Sequence, residues 1–259
     1  MQIGLIGAGN MARAMARGWG EPILCSDGGS GRAVELAAEV GGEALSSNRE
    51  VAERADVVVL CHKPAQLRLV AREIAETARC VVSVLGGTPV QHVQTAYPHT
   101  PVFAVIPNTP VEVRRGVIVY AERPASHMVP VDPELEARVL ELFGRLGTVV
   151  RVSEKQFDAA TTISSVGPAY QALLVEAQVD AAVRHGVPAR LASELMIETM
   201  TGTAALLEQR GYDTLAVRRE VTSPGGSTAR GLEALERHGV RSAFQAAMDA
   251  VLTPPEGRR

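Results

Sequence analysis

Up to residue 152, short apolar runs alternate with stretches of helical period, and this alternation restricts the fold more than any other feature of the chain. Residues 2–6, 23–25, 57–61, 81–85 and 102–106 are apolar runs, mostly without polar alternation. Runs of that kind suit strands covered on both faces, as in a parallel sheet sandwiched by helices. Between them, residues 10–19, 32–40, 48–54 and 64–78 read as helices. Repeated strand–helix–strand units predict an α/β fold with a doubly wound, mostly parallel sheet. Residues 116–120 and 148–152 add strands around a helix at 133–145.

From Ser153 onward the strand signal stops. Residues 156–186, 189–209, 215–221, 226–238 and 242–252 all read as helices. The predicted organisation is therefore a nucleotide-binding domain over 1–152 and an all-helical domain over 153–259. Residues 170–183 are apolar nearly all round, interrupted only by Gln171, Glu176, Gln178 and Asp180. A helix of that composition is buried on more than one side. A small helical domain has difficulty covering it alone, so a dimer interface is the economical reading. Residues 253–259 read as a loose tail.

The 259 residues are 46% hydrophobic and 21% charged, a globular composition. A net charge of −3 and only 3% aromatics argue against nucleic acid as a partner, since neither a positive field nor stacking rings are available. No apolar run approaches the length of a bilayer span, which argues against a membrane partner. The cysteines, Cys25, Cys61 and Cys80, lie at the ends of apolar runs and show no metal spacing, so they read as buried thiols and no metal is expected. An odd count without a leader suits a reducing cytoplasm. Lysine occurs twice, at Lys63 and Lys155, against a large excess of arginine.

The first apolar run leads into Gly7-Ala8-Gly9-Asn10-Met11-Ala12, and a helix follows. This is G-x-G-x-x-A between a strand and a helix, the dinucleotide fingerprint in its required setting. Gly7 permits the tight turn, Gly9 lets a pyrophosphate approach the backbone, and Ala12 allows close helix–strand packing. The helix N-terminus, at Asn10 and Met11, supplies amide donors to the phosphates. Asp27, at the end of the second run, stands where an acidic residue bonds the ribose 2′-hydroxyl of NAD(H). Ser26, Ser30 and Arg32 around it suit the 2′-phosphate of NADP(H) instead, and Asp27 is equally readable as the start of a polar turn. Near the other end, Ser223-Pro224-Gly225-Gly226-Ser227-Thr228 precedes a helix. It reads either as a second nest of free amides, short and suited to a carboxylate, or as an ordinary helix start capped by Ser223 or Ser227.

Several motifs in fixed order bring a family into view. The opening from Gly4 to Ala12, Lys63-Pro64, Pro107-Asn108-Thr109-Pro110, Gly167-Pro168-Ala169-Tyr170 and the block over 221–236 resemble the pyrroline-5-carboxylate reductases, over essentially the whole chain. The resemblance implies a Rossmann-type domain followed by a helical domain that intertwines with a second copy, as a homodimer or an oligomer of dimers. It implies NAD(P)H-dependent reduction of a small imino acid, 1-pyrroline-5-carboxylate, to L-proline, with NADP(H) slightly favoured. On the matching positions, Ser223, Gly225, Gly226, Ser227 and Thr228 hold the substrate carboxylate, and Thr228 also lies near the ring nitrogen. Asn48, Lys63 and Pro64 match positions that touch the cofactor. The iminium proton comes either through Thr228 or with the substrate.

The departures fall mostly on the substrate side. Ser165 and Val166 replace a glycine and a hydroxyl residue, Gly211 stands where the family carries an acid, and Ser83-Val84-Leu85-Gly86-Gly87 replaces a turn of smaller residues. They keep open a paralogue acting on a related cyclic imine or oxo acid, or a cofactor-binding dimer without catalysis. His62 replaces a valine before Lys63. Its imidazole is a candidate proton donor near neutral pH and a candidate cofactor contact, or a histidine that merely replaces an apolar one. His92, His99, His127, His185 and His238 read as surface residues.

Overall fold

Ile3–Ile6 form a fully buried strand, β1, that pairs in parallel with a strand on each side, β2 (Leu24–Ser26) and β4 (Val57–Leu60). The computed structural model describes residues 1–122 and 129–253. After β1 come α1 (Asn10–Trp19), β2, α2 (Arg32–Val40), β3 (Glu43–Ala44) and α3 (Asn48–Arg54). Next are β4, α4 (Leu67–Ile74), β5 (Val81–Ser83), α5 (Val90–Ala96), β6 (Val102–Pro107), β7 (Gly116–Ala121), α6 (Pro133–Gly144) and β8 (Gly147–Val152). Among the described residues the sheet has eight strands in the order β3-β2-β1-β4-β5-β6-β7-β8. All pairs are parallel except β6 with β7, where the chain reverses through a 3-10 turn at Thr109–Val113. The doubly wound α/β fold read from the alternation is the fold observed. Strand order reverses between β1 and β4, the crevice where such sheets take their ligands.

Two apolar layers cover the sheet. Helices α1, α2 and α6 bury Met15, Trp19, Leu36 and Phe143 on one face. Helices α3, α4 and α5 bury Val51, Ile74 and Val93 on the other. Trp19, 2% exposed, meets Phe143 edge-to-face at 5.6 Å, and its indole N–H donates to the Leu142 carbonyl at 3.0 Å. Burial raises the Cys25 thiol to about 11 and pushes Cys61 up as well. Cys25 and Cys80 are buried and Cys61 is half-buried, and none of the three is joined in a disulfide.

The remaining elements are α7 (Glu154–Arg184), α8 (Ala189–Gln209), α9 (Thr214–Glu220), α10 (Ser227–Arg237) and α11 (Val240–Leu252). The chain divides into two compact units, Met1–Pro168 and Ala169–Arg259. That division lies inside α7, beyond residue 152, where the strand signal ends. The reason is local: Phe157 and Ala160, in the first turns of α7, pack into the α3–α5 layer. Other differences are small. The helix expected over 64–78 is a 3-10 turn, Pro64–Gln66, followed by α4, while β3 and α5 escape the periodicity because they are so short.

In the second unit Ala192 and Val217 are the buried apolar residues among those described, whereas Leu173, Leu195, Ile197 and Phe244 are exposed. The burial expected over residues 170–183 is therefore not achieved within one chain. Four of the five surface histidines, His92, His99, His185 and His238, are exposed as expected, and His127 and residues 254–259 lie outside the described residues. No helix among the described residues is long and apolar enough to cross a membrane.

Replacing Phe143 with Ala opens a void beside the indole. The expected cost is about 3–5 kcal/mol. Urea unfolding monitored by Trp19 emission measures it, and the folded emission should move to the red.

Candidate functional site

The loop from β1 to α1 is held by backbone alone. Gly7 has φ +102°, and a Cβ there would come within 2.7 Å of the Cys61 carbonyl and 2.8 Å of the His62 nitrogen. Its N–H donates to the Ser26 carbonyl at 2.9 Å, so the loop is tied to the ends of both neighbouring strands. Gly9 is different: it caps α1 in extended conformation, no side chain caps the helix, and a Cβ there would meet nothing within 4 Å. Open space on one side and unpaired amides at Asn10 and Met11 on the other make a cradle that a side chain would fill. Ala12 is fully buried against the sheet. These residues fit the pyrophosphate of a dinucleotide.

Asp27 follows β2 and turns inward on its own loop. Its carboxylate accepts from Gly29 N at 2.9 Å, Ser30 N at 3.1 Å, Ser30 Oγ at 2.7 Å and Ala33 N at 2.9 Å. Burial pushes this carboxyl up, but hydrogen bonds from Ser30, Ala33, Gly29 and Arg32 outweigh it and hold it below the usual range. The polar-turn alternative for Asp27 thus describes its observed bonding. Arg32, the first residue of α2, is exposed and forms no ion pair among the described residues.

Asn48 begins α3 beside the same strand end. Ser26 Oγ donates to its Oδ1 at 2.7 Å, and its Nδ2 donates to the Glu73 carboxylate of α4 at 2.6 Å. Sequence reading missed this Ser26–Asn48–Glu73 chain. Its members lie 22 and 25 residues apart on three elements, and no short-range pattern marks them.

His62 and Lys63 lie just past β4, across from Gly7. Lys63 is exposed, with its backbone N–H held by Gln66 Oε1 at 3.2 Å, and Pro64 opens the 3-10 turn behind it. His62 Nδ1 lies 2.9 Å from the Lys63 carbonyl. A carbonyl only accepts, so Nδ1 carries the proton and Nε2 of the neutral ring is an acceptor. Nε2 is shielded from solvent and has no partner. Burial lowers the His62 pKa below its ordinary value, against a smaller opposing effect of the Lys63 carbonyl. A ring of this kind is neutral at pH 7 and a weak source of protons.

The second glycine segment belongs to the second unit. Gly225 has φ +68°, and Gly226 caps α10 in extended conformation. No side chain caps the helix, so neither Ser223 nor Ser227 plays the part the ordinary-helix reading gave it. A Cβ on Gly226 would run into the Ser223 hydroxyl, which folds back over it. The first amide to reach a carbonyl one turn back is that of Arg230, to Gly226 O at 3.2 Å. Arg230 Nη1 is itself turned back onto the Gly225 carbonyl at 2.7 Å. The amides of Ser227, Thr228 and Ala229 thus face outward beside two exposed hydroxyls, an arrangement suited to a small anion. Among the described residues no cluster of histidine, cysteine or acidic side chains is placed to hold a metal.

Two family models match this chain: pyrroline-5-carboxylate reductase dimerisation over residues 154–254, and NADP oxidoreductase, coenzyme F420-dependent, over residues 2–87. Pyrroline-5-carboxylate reductase from Synechocystis is 34% identical, covering 96% of this chain and 95% of that one. The structure of 1-pyrroline-5-carboxylate reductase from Streptococcus pyogenes superposes with a TM-score of 0.86 at 28% identity, covering 97% of this chain and 96% of that one. The Plasmodium falciparum enzyme, solved with NADP bound, gives 0.83 at 25% identity, covering 97% and 95%. A nucleotide loop built for a nicotinamide dinucleotide, a helical domain of the dimerisation type and full-length relatedness lead to one assignment: the chain belongs to the pyrroline-5-carboxylate reductase family.

Proposed function

We propose that the protein reduces 1-pyrroline-5-carboxylate to L-proline with NADPH, working as a homodimer in a reducing cytoplasm. The observation that supports this best is the pair of helix starts, α1 and α10, each capped by glycine and free of side-chain caps. One suits a diphosphate and the other a carboxylate, the two anionic handles of this reaction. Exposed apolar side chains on the second unit support self-association, and three cysteines outside any disulfide suit the compartment.

Reduced nicotinamide, when bound, supplies the hydride. The amides of Gly225, Ser227 and Thr228, with the Ser223 and Ser227 hydroxyls, hold the carboxylate and so fix the ring, while the Gly226 amide is spent on the Ser223 carbonyl and shapes the turn. The Thr228 hydroxyl hydrogen-bonds the ring nitrogen as it becomes an amine. On the cofactor side, Gly7, Gly9, Asn10, Met11 and Ala12 form the cradle, Lys63 places a cation beside it, and Pro64 shapes its rim. Asn48 acts by holding the Ser26 hydroxyl in place. Positioning of this order is worth about 7–11 kcal/mol of barrier. His62 belongs here as a neutral ring beside the cofactor, and its lowered pKa weighs against service as the acid.

NADPH over NADH is supported at the β2 end. The Asp27 carboxylate is consumed by its own loop, with the Ser30 hydroxyl among its donors, which leaves the exposed Arg32 side chain to meet a 2′-phosphate. A second reading, reduction of a related cyclic imine or oxo acid, is favoured only by Ser165, Val166 and Gly211.

Loss of reduced-nicotinamide absorbance on adding pyrroline-5-carboxylate tests the main reading. Turnover on another imine alone establishes the second, and cofactor binding without any turnover overturns both. Thr228→Ala should lower kcat about a hundredfold while leaving cofactor KM unchanged. Arg32→Ala should raise KM for NADPH about tenfold with little effect on NADH, as expected for loss of one charge-assisted contact. For His62→Gln, the pH profile of kcat should be unchanged between about pH 7 and 9, since the wild-type ring is already neutral there. Disappearance of an inflection in that range would restore His62 as the acid.

A further inference from the structure

We propose that Asn108 and Pro168, 60 residues apart in sequence, act as one positioning unit that fixes the Ser164–Gly167 turn of α7 on the carboxyl end of the sheet. Pro168 lies inside α7. Having no N–H, it leaves the carbonyl four residues back, that of Ser164, without its helical donor. Asn108 supplies the missing donor: its Nδ2 bonds the Ser164 carbonyl at 3.0 Å. Its Oδ1 accepts the Val117 N–H at 2.8 Å. Only this amide orientation satisfies both contacts, because the flipped one sets oxygen against oxygen and N–H against N–H.

Two further facts agree. Asn108 is 7% exposed, so an unpaired amide there is costly. It also occupies the N-cap position of the 3-10 turn at Thr109–Val113, where asparagine ordinarily caps with its own side chain, yet it makes no such bond. The side chain is committed to β7 and α7 instead. One buried amide therefore joins the end of β6, the start of β7 and the helix that carries Ser165 and Val166. Those two residues are where the substrate side departs from the family, so the functional half of this proposal rests on the reaction proposed above. The structural half does not.

The test is a double-mutant cycle on the full chain with Asn108→Asp and Pro168→Ala. Asn108→Asp keeps the acceptor for Val117 but sets an oxygen against the Ser164 carbonyl. Pro168→Ala restores the N–H, so that carbonyl no longer needs Asn108. Asn108→Asp alone should lower Tm by about 5 °C and raise KM for the imine about tenfold with KM for NADPH unchanged. Adding Pro168→Ala should recover part of both losses, because the Ser164 carbonyl regains its helical donor although the carboxylate still faces it. If Asn108→Asp alone does not fold, recovery of folded dimer in the double variant is the same rescue.

Additive effects, or a double variant no better than the single, overturn the unit. Rescue of Tm with both KM values unmoved throughout overturns the positioning role and leaves only a structural bond. Absence of imine reduction in the wild type fails the proposed reaction, while the Tm cycle still decides whether the pair is coupled.

Discussion

Everything at the cofactor end of this protein depends on how closely the backbone after β1 passes the backbone after β4. Gly7 can sit at φ +102° within reach of Cys61 and His62 because it has no Cβ. That approach lets β1 pair on both edges at once, with β2 and with β4, and so places the reversal of strand order at the tip of the loop. The α1 N-terminus then points into the crevice between them. Any other residue at position 7 would push β4 and its following Lys63-Pro64 away, and the crevice would lose one wall. Gly9 serves the opposite purpose, since nothing in the protein crowds it. One glycine is required by contact within the fold, and its neighbour by the space left for a ligand.

In the proposed site neutral donors carry most of the recognition. At both helix starts glycine replaces the usual capping side chain, which costs little compared with serine or asparagine and leaves the amides available to an incoming anion. Charged groups nearby are used for other purposes. Asp27 is consumed by its loop and Arg230 by the Gly225 carbonyl, while His62 is kept neutral by burial. A site of this design favours an anionic substrate without titrating near neutral pH. It leaves proton delivery to a hydroxyl or to the substrate, since no strong acid stands at either nest.

The parts of this arrangement legible in the sequence are those written in local spacing. Buried strands announce themselves as unbroken apolar runs, and α1, α2, α3 and α8 run between the residues that the periodicity picks out. The glycine loop is readable because a turn, an approach and a helix start each require a small residue at a fixed step. What is not legible is set by partners distant in sequence. Asp27 stands at the ribose-binding position by spacing, and the four donors that its own loop gives it are not readable there. Asn48 matches a cofactor-contacting position by motif alone, and nothing local tells that both ends of its amide are bonded to Ser26 and Glu73. The domain limit near residue 152 follows the change of period, but packing of Phe157 carries the first unit on to Pro168.

The second unit shows why fold and assembly are a single problem here. Its helices have strong local propensity, with Asp213 capping α9 through the Leu215 and Ala216 amides. Yet Leu173, Leu195, Ile197 and Phe244 remain exposed in one chain, and few of its side chains are fully covered. Burial at about 25 cal/mol per Å² supplies the main driving force for such helices. A unit that cannot bury its own apolar face gains that energy only from another copy, so its stability rises with protomer concentration. The Gly225–Thr228 nest lies within this unit, at the start of α10. Its geometry is therefore only as firm as the association that completes the unit's core. That ties the proposed carboxylate site to self-association without any dedicated regulatory element.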